Sequence, residues 1–181
     1  MSSVRIDDIL NRVENIEIDF CRWLNSGSRR KAIRVFFKAV SDLGDGVFWY
    51  TLLLFLPYVN GVIGFIQMLH VLVTAVIALL IYKGLKKNLV RERPFIHYAT
   101  IKQAAPALDR YSFPSGHTLH AFLFSILFSF YLPQIGPLVW LFTILVSLSR
   151  VILGLHYVSD VIAGALIGSG LAVISLDIVL P

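Results

Sequence analysis

The sequence predicts an all-α membrane protein, a polytopic bundle of about five transmembrane helices with amphipathic helices at its N-terminus. Hydrophobic residues make up 57% of the 181 residues and charged residues only 15%, and the mean hydropathy is +0.76. Soluble domains are less apolar, at about 45–50%, and carry about 25% charged residues. The charges are also segregated, because the ranges 47–82 and 118–149 contain no Asp, Glu, Lys or Arg. Uncharged runs of this length are typical of segments that span a bilayer.

The N-terminal region carries apolar residues at helical spacing among charged ones. Between 3 and 25 these apolar positions are Ile6, Ile9, Leu10, Val13, Ile16, Phe20 and Leu24. The shorter segment 28–40 is basic and has apolar residues at Ile33, Phe36 and Phe37. Both patterns predict amphipathic helices on the membrane surface or against the bundle, with a soluble helical cap as the alternative. We therefore divide the chain into interfacial helices at 1–44 and a transmembrane domain at 45–181.

Each uncharged range is long enough for two membrane helices. As one continuous helix the range 47–82 would be about 54 Å long, whereas the bilayer core is about 30 Å thick. The residues that favour a break in it are Pro57, Asn60, Gly61 and Gly64. Two antiparallel spans are therefore expected at about 45–59 and 62–82.

The second uncharged range breaks at 133–137, which gives spans at about 116–132 and 136–153, and a last span covers about 157–179. The turns near Asn60 and Gln134 carry no charge. The loop 83–115, the junction 150–156 and the N-terminal region then fall on the opposite side of the membrane. The residues capable of chemistry therefore share one membrane face.

Three short polar clusters lie at helix ends on this face. They are Lys86 with Arg93-Pro94, then Pro114-Ser115-Gly116-His117, and finally Ser149-Arg150 with His156 and Asp160. In the last cluster, His156 and Asp160 are four residues apart, which on a helix puts both side chains on one face. A carboxylate there accepts the proton of one imidazole nitrogen and leaves the other as a nucleophile or base. A structural buried pair is the alternative, although charges near a membrane helix end are expensive to keep.

The second cluster predicts the start of a helix. Ser115 would be its N-cap, and the free N–H groups of the first turn would bind an anion. His117 would lie beside that anion and could protonate a leaving oxygen as a general acid. Taken alone, the segment is better explained by a capping turn with an incidental histidine.

Lys86, Arg93 and Arg150 supply three positive charges from different elements. A phosphoryl group in transfer carries charge on three equatorial oxygens, and stabilising that charge is the main catalytic requirement. Lys86 or Arg93 alone would be interpreted as an interfacial residue, but three cations with two histidines on one face predict a phosphate site. The sequence lacks an acidic cluster for Mg²⁺ and a Cys/His set for zinc. A covalent route through histidine, with no metal and no cofactor, is therefore preferred.

The pattern Lys86-x6-Arg93-Pro94, Pro114-Ser115-Gly116-His117 and Ser149-Arg150-x5-His156-x3-Asp160 resembles the three signature motifs of the type-2 phosphatidic acid phosphatase superfamily. That family includes bacterial lipid phosphatases, glucose-6-phosphatase and the vanadium haloperoxidases. The resemblance covers residues 86–160, and every motif position matches in order and spacing.

The resemblance also implies a role for each residue. His156 would attack phosphorus with Asp160 orienting its ring, and His117 would protonate the leaving group and then activate the water that hydrolyses phosphohistidine. The residues that would hold the phosphate oxygens are Lys86, Arg93, Ser115, Gly116 and Arg150.

The function expected from these residues is hydrolysis of a lipid phosphomonoester or pyrophosphate through phosphohistidine. Undecaprenyl pyrophosphate ranks first as substrate, by resemblance to the smaller bacterial members, ahead of phosphatidylglycerophosphate and phosphatidic acid. A lipid phosphotransferase that uses the same histidine is the alternative within enzymes. A non-catalytic membrane protein that keeps the fold is the alternative outside them, and a haloperoxidase is disfavoured because those proteins are soluble.

The expected partners are membrane lipids and a lipid phosphate rather than nucleic acid. The net charge of +5 comes with basic residues that lie next to apolar spans, which suits anionic headgroups. The resemblance implies a multi-pass protein of the inner cell membrane with an outward-facing active site. The positive-inside rule favours the cytoplasm instead, because the face that holds the motifs is also rich in other cations. These include Arg29, Arg30, Lys31, Arg34, Lys38, Lys83, Lys87, Arg91 and Lys102.

Overall fold

The computed structural model describes residues 2–107 and 109–179, and its regular elements are all helices. In chain order they are α1 (Ser2–Ser26), a 3-10 turn (Gly27–Arg29), α2 (Lys31–Gly44), α3 (Val47–Asn88), α4 (Pro94–His97), α5 (Gly116–Tyr131), a second 3-10 turn (Pro133–Ile135), α6 (Gly136–Ile152) and α7 (Val158–Val179). Within these described residues, three stretches are long and apolar enough to cross a membrane, namely Val47–Asn88, Pro133–Ile152 and Val158–Val179. The all-helical membrane fold is thus confirmed, and the number of crossings stays a prediction.

Helix α3 folds back on itself at Gly61, whose φ of 56° and ψ of −131° are not helical. Asn60 Nδ2 donates to Gln67 Oε1 at 2.8 Å, and a Cβ on Gly64 would collide with the backbone of Leu56. In a continuous helix these partners would be about 10–12 Å apart. The ranges 47–60 and 62–88 are therefore two antiparallel arms, with the break where the sequence predicted it.

The second arm of α3 is longer than expected. The sequence predicted a span that ends at 82 and a loop at 83–115, but the helix continues to Asn88. Leu and Lys are good helix formers, and Lys86 and Lys87 in the last turn complement the helix dipole. Lys86 therefore projects from a helix, one turn beyond Tyr82, and not from a loop.

Helix α5 lies at the centre of the bundle and packs against α3, α6 and α7. Its contact with α7 depends on small residues. A Cβ on Gly164 would lie 2.5 Å from Ser115 O, and a Cβ on Gly168 would overlap the carbonyl of Leu119. Glycine at these two positions therefore permits the close packing of α5 and α7, whereas a Cβ on Gly170 would meet no other described atom within 4 Å.

Helices α1 and α2 pack against the bundle at the end where the polar clusters lie. α1 buries Cys21 and Asn25, and the Asn25 amide donates to the carbonyl oxygens of Lys102 and Ile152 at 2.9 and 3.0 Å. The outer face of α1 exposes Trp23 and the outer face of α2 exposes residues such as Phe36. This exposure suits helices in the membrane interface, and the division of the chain at residue 44 stays a prediction.

Candidate active site

The three polar clusters meet at one end of the bundle, around His156. The second arm of α3 brings Lys86, and the loop after it brings Arg93. The start of α5 brings Ser115, Gly116 and His117, the last turn of α6 brings Arg150, and the connection to α7 brings His156. The eight residues predicted for the site thus lie on one face of the protein, and their roles stay predictions.

His156 is held in the short loop between α6 and α7, where it is 2% exposed. Gly154 has φ +75°, and a Cβ there would lie 2.5 Å from Lys102 O, so glycine lets the loop pass close to its neighbour. The N–H groups of Leu155 and His156 both donate to Arg150 O, at 3.0 and 3.1 Å. These bonds fold the loop back onto the end of α6.

His156 and Asp160 do not share a helical face, which corrects the prediction from their spacing. His156 precedes α7, and Asp160 lies in its first turn. Asp160 Oδ2 accepts the N–H of Tyr157 at 2.9 Å, as an acidic residue does in half of a capping box. The same oxygen lies 3.5 Å from His156 Nδ1. The Asp160 carboxylate therefore lies beside the His156 ring because Asp160 caps the start of α7, and not because the two residues share a helical face.

The environment of His156 favours a neutral ring. Burial lowers the pKa of His156 to about 3, opposed by Asp160 and reinforced by the positive charges of Arg150 and Arg93. Arg93 Nη1 lies 3.2 Å from His156 Nε2. A neutral imidazole that carries its proton on Nδ1, the nitrogen nearer to Asp160, keeps a lone pair on Nε2.

Arg93 and Lys86 share one carboxylate, that of Asp109. Arg93 is buried and donates from Nε to Asp109 O at 2.7 Å, from Nη2 to Asp109 Oδ1 at 2.9 Å and from Nη1 to Leu155 O at 2.8 Å. Lys86 Nζ contacts Asp109 Oδ2 at 2.7 Å and donates to Tyr82 OH at 2.6 Å. Burial would raise the pKa of Asp109, but Lys86 and Arg93 outweigh it and hold that pKa below its usual value.

Arg150 is buried at the end of α6 with an incomplete set of partners. Its Nη1 donates to Ser41 Oγ of α2 at 2.5 Å, while its Nε has no hydrogen-bond partner in the described part of the chain. A buried N–H of a charged group is costly when it is left unpaired. An anion bound beside Arg150 would remove that cost.

The start of α5 has the geometry that the sequence predicted. Ser115 Oγ accepts the N–H of Thr118 at 3.5 Å, so Ser115 is confirmed as the N-cap. The Ser115 N–H donates to Asp160 O at 3.0 Å, which ties this helix start to α7. A Cβ on Gly116 would lie 2.9 Å from the ring of Tyr82. His117 follows, with Nε2 2.5 Å from Asp45 Oδ1.

Three residues of this region were missed by the sequence reasoning. Arg91 was counted only as a loop cation, yet its Nη1 donates to Asp160 Oδ1 at 2.8 Å and its Nη2 to Glu17 Oε2 at 3.0 Å. Glu17 also accepts the N–H of Ser159 at 2.6 Å. Asp45 has a signal in the sequence, because it is a carboxylate between two glycines just before the first span.

A cavity of about 320 Å³ opens beside His117, between the two arms of α3 and α5. Its polar lining includes Asp45, Tyr82, His117 and His120. The apolar lining consists of Trp49, Leu53, Leu72, Ala75, Val76, Leu79 and Phe124. The other histidine inside the spans, His70, lies outside this lining and pairs with Tyr131 OH at 2.7 Å.

The family model of the PAP2 superfamily matches residues 67–180, a range that includes all three motifs. The crystal structure of Aquifex aeolicus LpxE superimposes with a TM-score of 0.76 at 27% identity, covering 88% of this chain and 93% of that chain. The first transmembrane PAP2 type phosphatidylglycerolphosphate phosphatase from Bacillus subtilis has a similar fold, with a TM-score of 0.75 at 22% identity over 94% of this chain and 89% of that one.

The fold, the clustered cations and these likenesses define a multi-pass membrane enzyme that hydrolyses phosphoric esters. The chain belongs to the PAP2 superfamily, as the resemblance of its motifs implied.

Proposed function

We propose that this enzyme is a metal-independent lipid phosphatase that cleaves a lipid phosphomonoester or pyrophosphate through a phosphohistidine on His156. The observation that carries the proposal is the position of the His156 ring, with Nε2 beside Arg93 and Nδ1 toward Asp160. A neutral, buried imidazole in that position is a nucleophile that needs no prior deprotonation. The charges nearest to the ring on its Nε2 side are cations, which would repel a divalent metal ion.

In the first step, the lone pair on His156 Nε2 forms a bond to phosphorus while the bond from phosphorus to the leaving oxygen breaks. His117 gives its proton to that oxygen, so the lipid leaves as an alcohol, or as a lipid monophosphate when the substrate is a pyrophosphate. The imidazole becomes positive, and the Asp160 carboxylate stabilises it through the Nδ1 proton.

In the second step, water attacks phosphorus and His117, now neutral, takes a proton from it. The bond between phosphorus and Nε2 breaks, which returns the lone pair to His156 and releases inorganic phosphate. Each histidine is then in its starting state.

The charge that develops on the phosphoryl oxygens has several donors within reach. Lys86, Arg93 and Arg150 approach from three elements, and Arg150 Nε has no other partner in the described residues. The N–H groups at the start of α5, near Ser115 and Gly116, complete the set. In other enzymes, the loss of one such donor costs about 10²–10³ in kcat.

The cavity supports a substrate with a hydrocarbon chain. Its polar end is next to His117 and its walls are apolar, so a phosphate at the site could leave one chain between the arms of α3. A polyprenyl pyrophosphate carries one chain, which is why it ranks first here. Phosphatidylglycerophosphate and phosphatidic acid are the other two candidate substrates. The first of these is the kind of lipid named for the Bacillus subtilis phosphatase of similar fold.

The test is phosphate release from these three lipids by the purified protein in detergent with excess EDTA. His156→Ala is expected to abolish release, and His97→Ala, which changes an exposed histidine at the end of α4, is the matched control. Acid-labile phosphate on the wild-type protein after rapid denaturation would support phosphohistidine. Release that persists in His156→Ala, or that stops with EDTA, would overturn the mechanism. Transfer to added glycerol in preference to water would identify a phosphotransferase.

We further propose that the protein lies in the inner membrane with its active site on the extracytoplasmic side, as the family resemblance implies. The excess of cations on the same face argues for the opposite orientation. The variant Gln103→Cys would distinguish the two orientations. Gln103 is exposed and its replacement can be labelled, whereas the native Cys21 is buried and should not react. Labelling of Gln103→Cys by an impermeant maleimide in cells with an intact inner membrane is expected. Labelling only after that membrane is opened would reverse the assignment.

A further inference from the structure

We infer that Asp45 is a positioning residue for His117 and makes it an effective acid and base. The inference rests on the proposed function, because it assigns a partner to the histidine that handles the protons. It adds a second pair of carboxylate and imidazole to the site, beside the pair formed by Asp160 and His156.

The geometry of the contact selects one nitrogen of His117. Nε2 is the nitrogen that contacts the carboxylate, at 2.5 Å from Asp45 Oδ1. His117 lines the cavity next to α3. A carboxylate that holds the Nε2 proton leaves Nδ1 to exchange a proton with the substrate or with water. The imidazole of His117 in turn holds the pKa of Asp45 below its usual value.

The backbone around Asp45 fixes where its carboxylate points. Asp45 lies in the turn between α2 and α3, and its N–H donates to Asp42 O at 3.3 Å. On one side a Cβ on Gly44 would lie 3.0 Å from the Val146 side chain. On the other side Gly46 has φ +146°, which disfavours a side chain there. The turn therefore packs closely on the bundle and presents Asp45 toward the start of α5.

The exposure of the Asp45 side chain argues against a purely structural role for this residue. Its side chain is 47% exposed, whereas that of His117 is only 11% exposed. Removing the charge of a half-exposed carboxylate costs little stability. The position is also unfavourable for binding, because a negative charge beside a phosphate site repels an anionic substrate. Both arguments favour a role that acts through His117.

The proton transfers follow from this arrangement. In the first step, protonated His117 gives its Nδ1 proton to the leaving oxygen and keeps the Nε2 proton directed at Asp45. In the second step, the Nδ1 lone pair takes a proton from the attacking water, and Asp45 stabilises the imidazolium that results. Asp45 exchanges no proton in either step and touches no reacting atom.

The experiment compares kcat and KM of Asp45→Asn with those of the wild type and of Asp42→Asn. Asp42 undergoes the same substitution three positions away, where it pairs with Lys38 on the surface. Asp45→Asn is expected to lower kcat by about 10- to 10²-fold, because general acid and base catalysis contributes about 10²–10⁴ and only part of it is lost. KM should stay level or fall by up to about threefold, because Asp45 makes no contact with the substrate and its negative charge opposes the binding of an anion. Asp42→Asn should match the wild type.

Asp45→Glu is the conservative variant, and it is expected to recover part of the lost kcat because it keeps a carboxylate. A wild-type kcat in Asp45→Asn would overturn the inference, and so would a change confined to KM. His156→Ala is measured in parallel. If it stays active, the proposed function fails, whereas an inactive His156→Ala with a fully active Asp45→Asn removes only the role of Asp45.

Discussion

The guanidinium of Arg91 holds the carboxylate of Asp160, with 2.8 Å between Nη1 and Oδ1. Asp160 is completely buried, so this cation supplies the neutralising charge that a buried carboxylate requires. Arg91 also lies over the ring of Tyr157 at 3.8 Å and reaches Glu17 on α1. The N-terminal helix is thereby connected to the residue that orients His156.

Arg91→Met is expected to lower kcat by about tenfold and the free energy of unfolding by about 1–3 kcal/mol, because it leaves Asp160 buried without its cation. Arg91→Lys keeps the charge and should recover part of both losses. Phosphate release and thermal unfolding in detergent measure the two effects. Arg22→Met, which removes an exposed arginine of α1, is the control, and an Arg91→Met variant that resembles it would refute the expectation.

Asp109→Asn is expected to tighten the binding of inorganic phosphate or vanadate by about three- to tenfold, where tenfold corresponds to about 1.4 kcal/mol. In the structure the Asp109 carboxylate occupies Lys86 and Arg93, two of the cations proposed for the substrate. An incoming phosphate must compete with it. Inhibition constants for both anions provide the measurement. Weaker inhibition in Asp109→Asn would mean instead that Asp109 arranges the two cations for binding.

Gly164→Val is expected to destabilise the protein by about 1–3 kcal/mol, the usual cost of overpacking. The new side chain would displace the carbonyl of Ser115 and with it the start of α5, so activity should fall as well. Gly170→Val is the matched control, because a Cβ there would have no other atom of the described residues within 4 Å. Thermal unfolding in detergent compares the two variants. Equal stabilities would show that α5 and α7 separate more readily than their contact suggests.

The stability of the protein is expected to fall as the pH drops from about 6.5 toward 4. The pKa of His156 is lowered to about 3 in the folded protein, so between these values the unfolded chain binds more protons than the folded one. The stabilisation is fully present above the unfolded pKa and is lost toward the folded pKa. His156→Gln should therefore show a shallower fall of Tm over this range. An unchanged slope would mean that other groups dominate the acid sensitivity.

The sequence predicted those parts of the site that depend on local chemistry. Ser115 as N-cap and the turn at Gly61 follow from the residues themselves. The orientation of His156 did not follow, because it depends on where α7 begins and on the loop conformation at Gly154. The start of α7 and the conformation of this loop are set by tertiary contacts, which cannot be inferred from the spacing of residues in the sequence.

The pairs formed by Asp45 with His117 and by Glu17 with Arg91 join residues that are far apart in the chain. Nothing in a local pattern says which surface of α1 or of the turn after α2 will meet the site. The extension of α3 to Asn88 was missed for a different reason, because the charges of Lys83, Lys86 and Lys87 suggested a loop. Long lysine side chains can extend their charged ends to water from a helix, so such charges are compatible with a continuing helix.

The hairpin of α3 has a consequence for the membrane around the enzyme. Its first arm, 47–60, is about 21 Å long at 1.5 Å per residue, and α5 is about 24 Å long. Both are shorter than a hydrocarbon core of about 30 Å, so we expect the leaflet next to the site to become locally thinner. Lipids with shorter acyl chains would match this height at lower cost. Reconstitution into bilayers of graded chain length should therefore show higher turnover in thin bilayers, and bilayer thickness itself would then tune the rate.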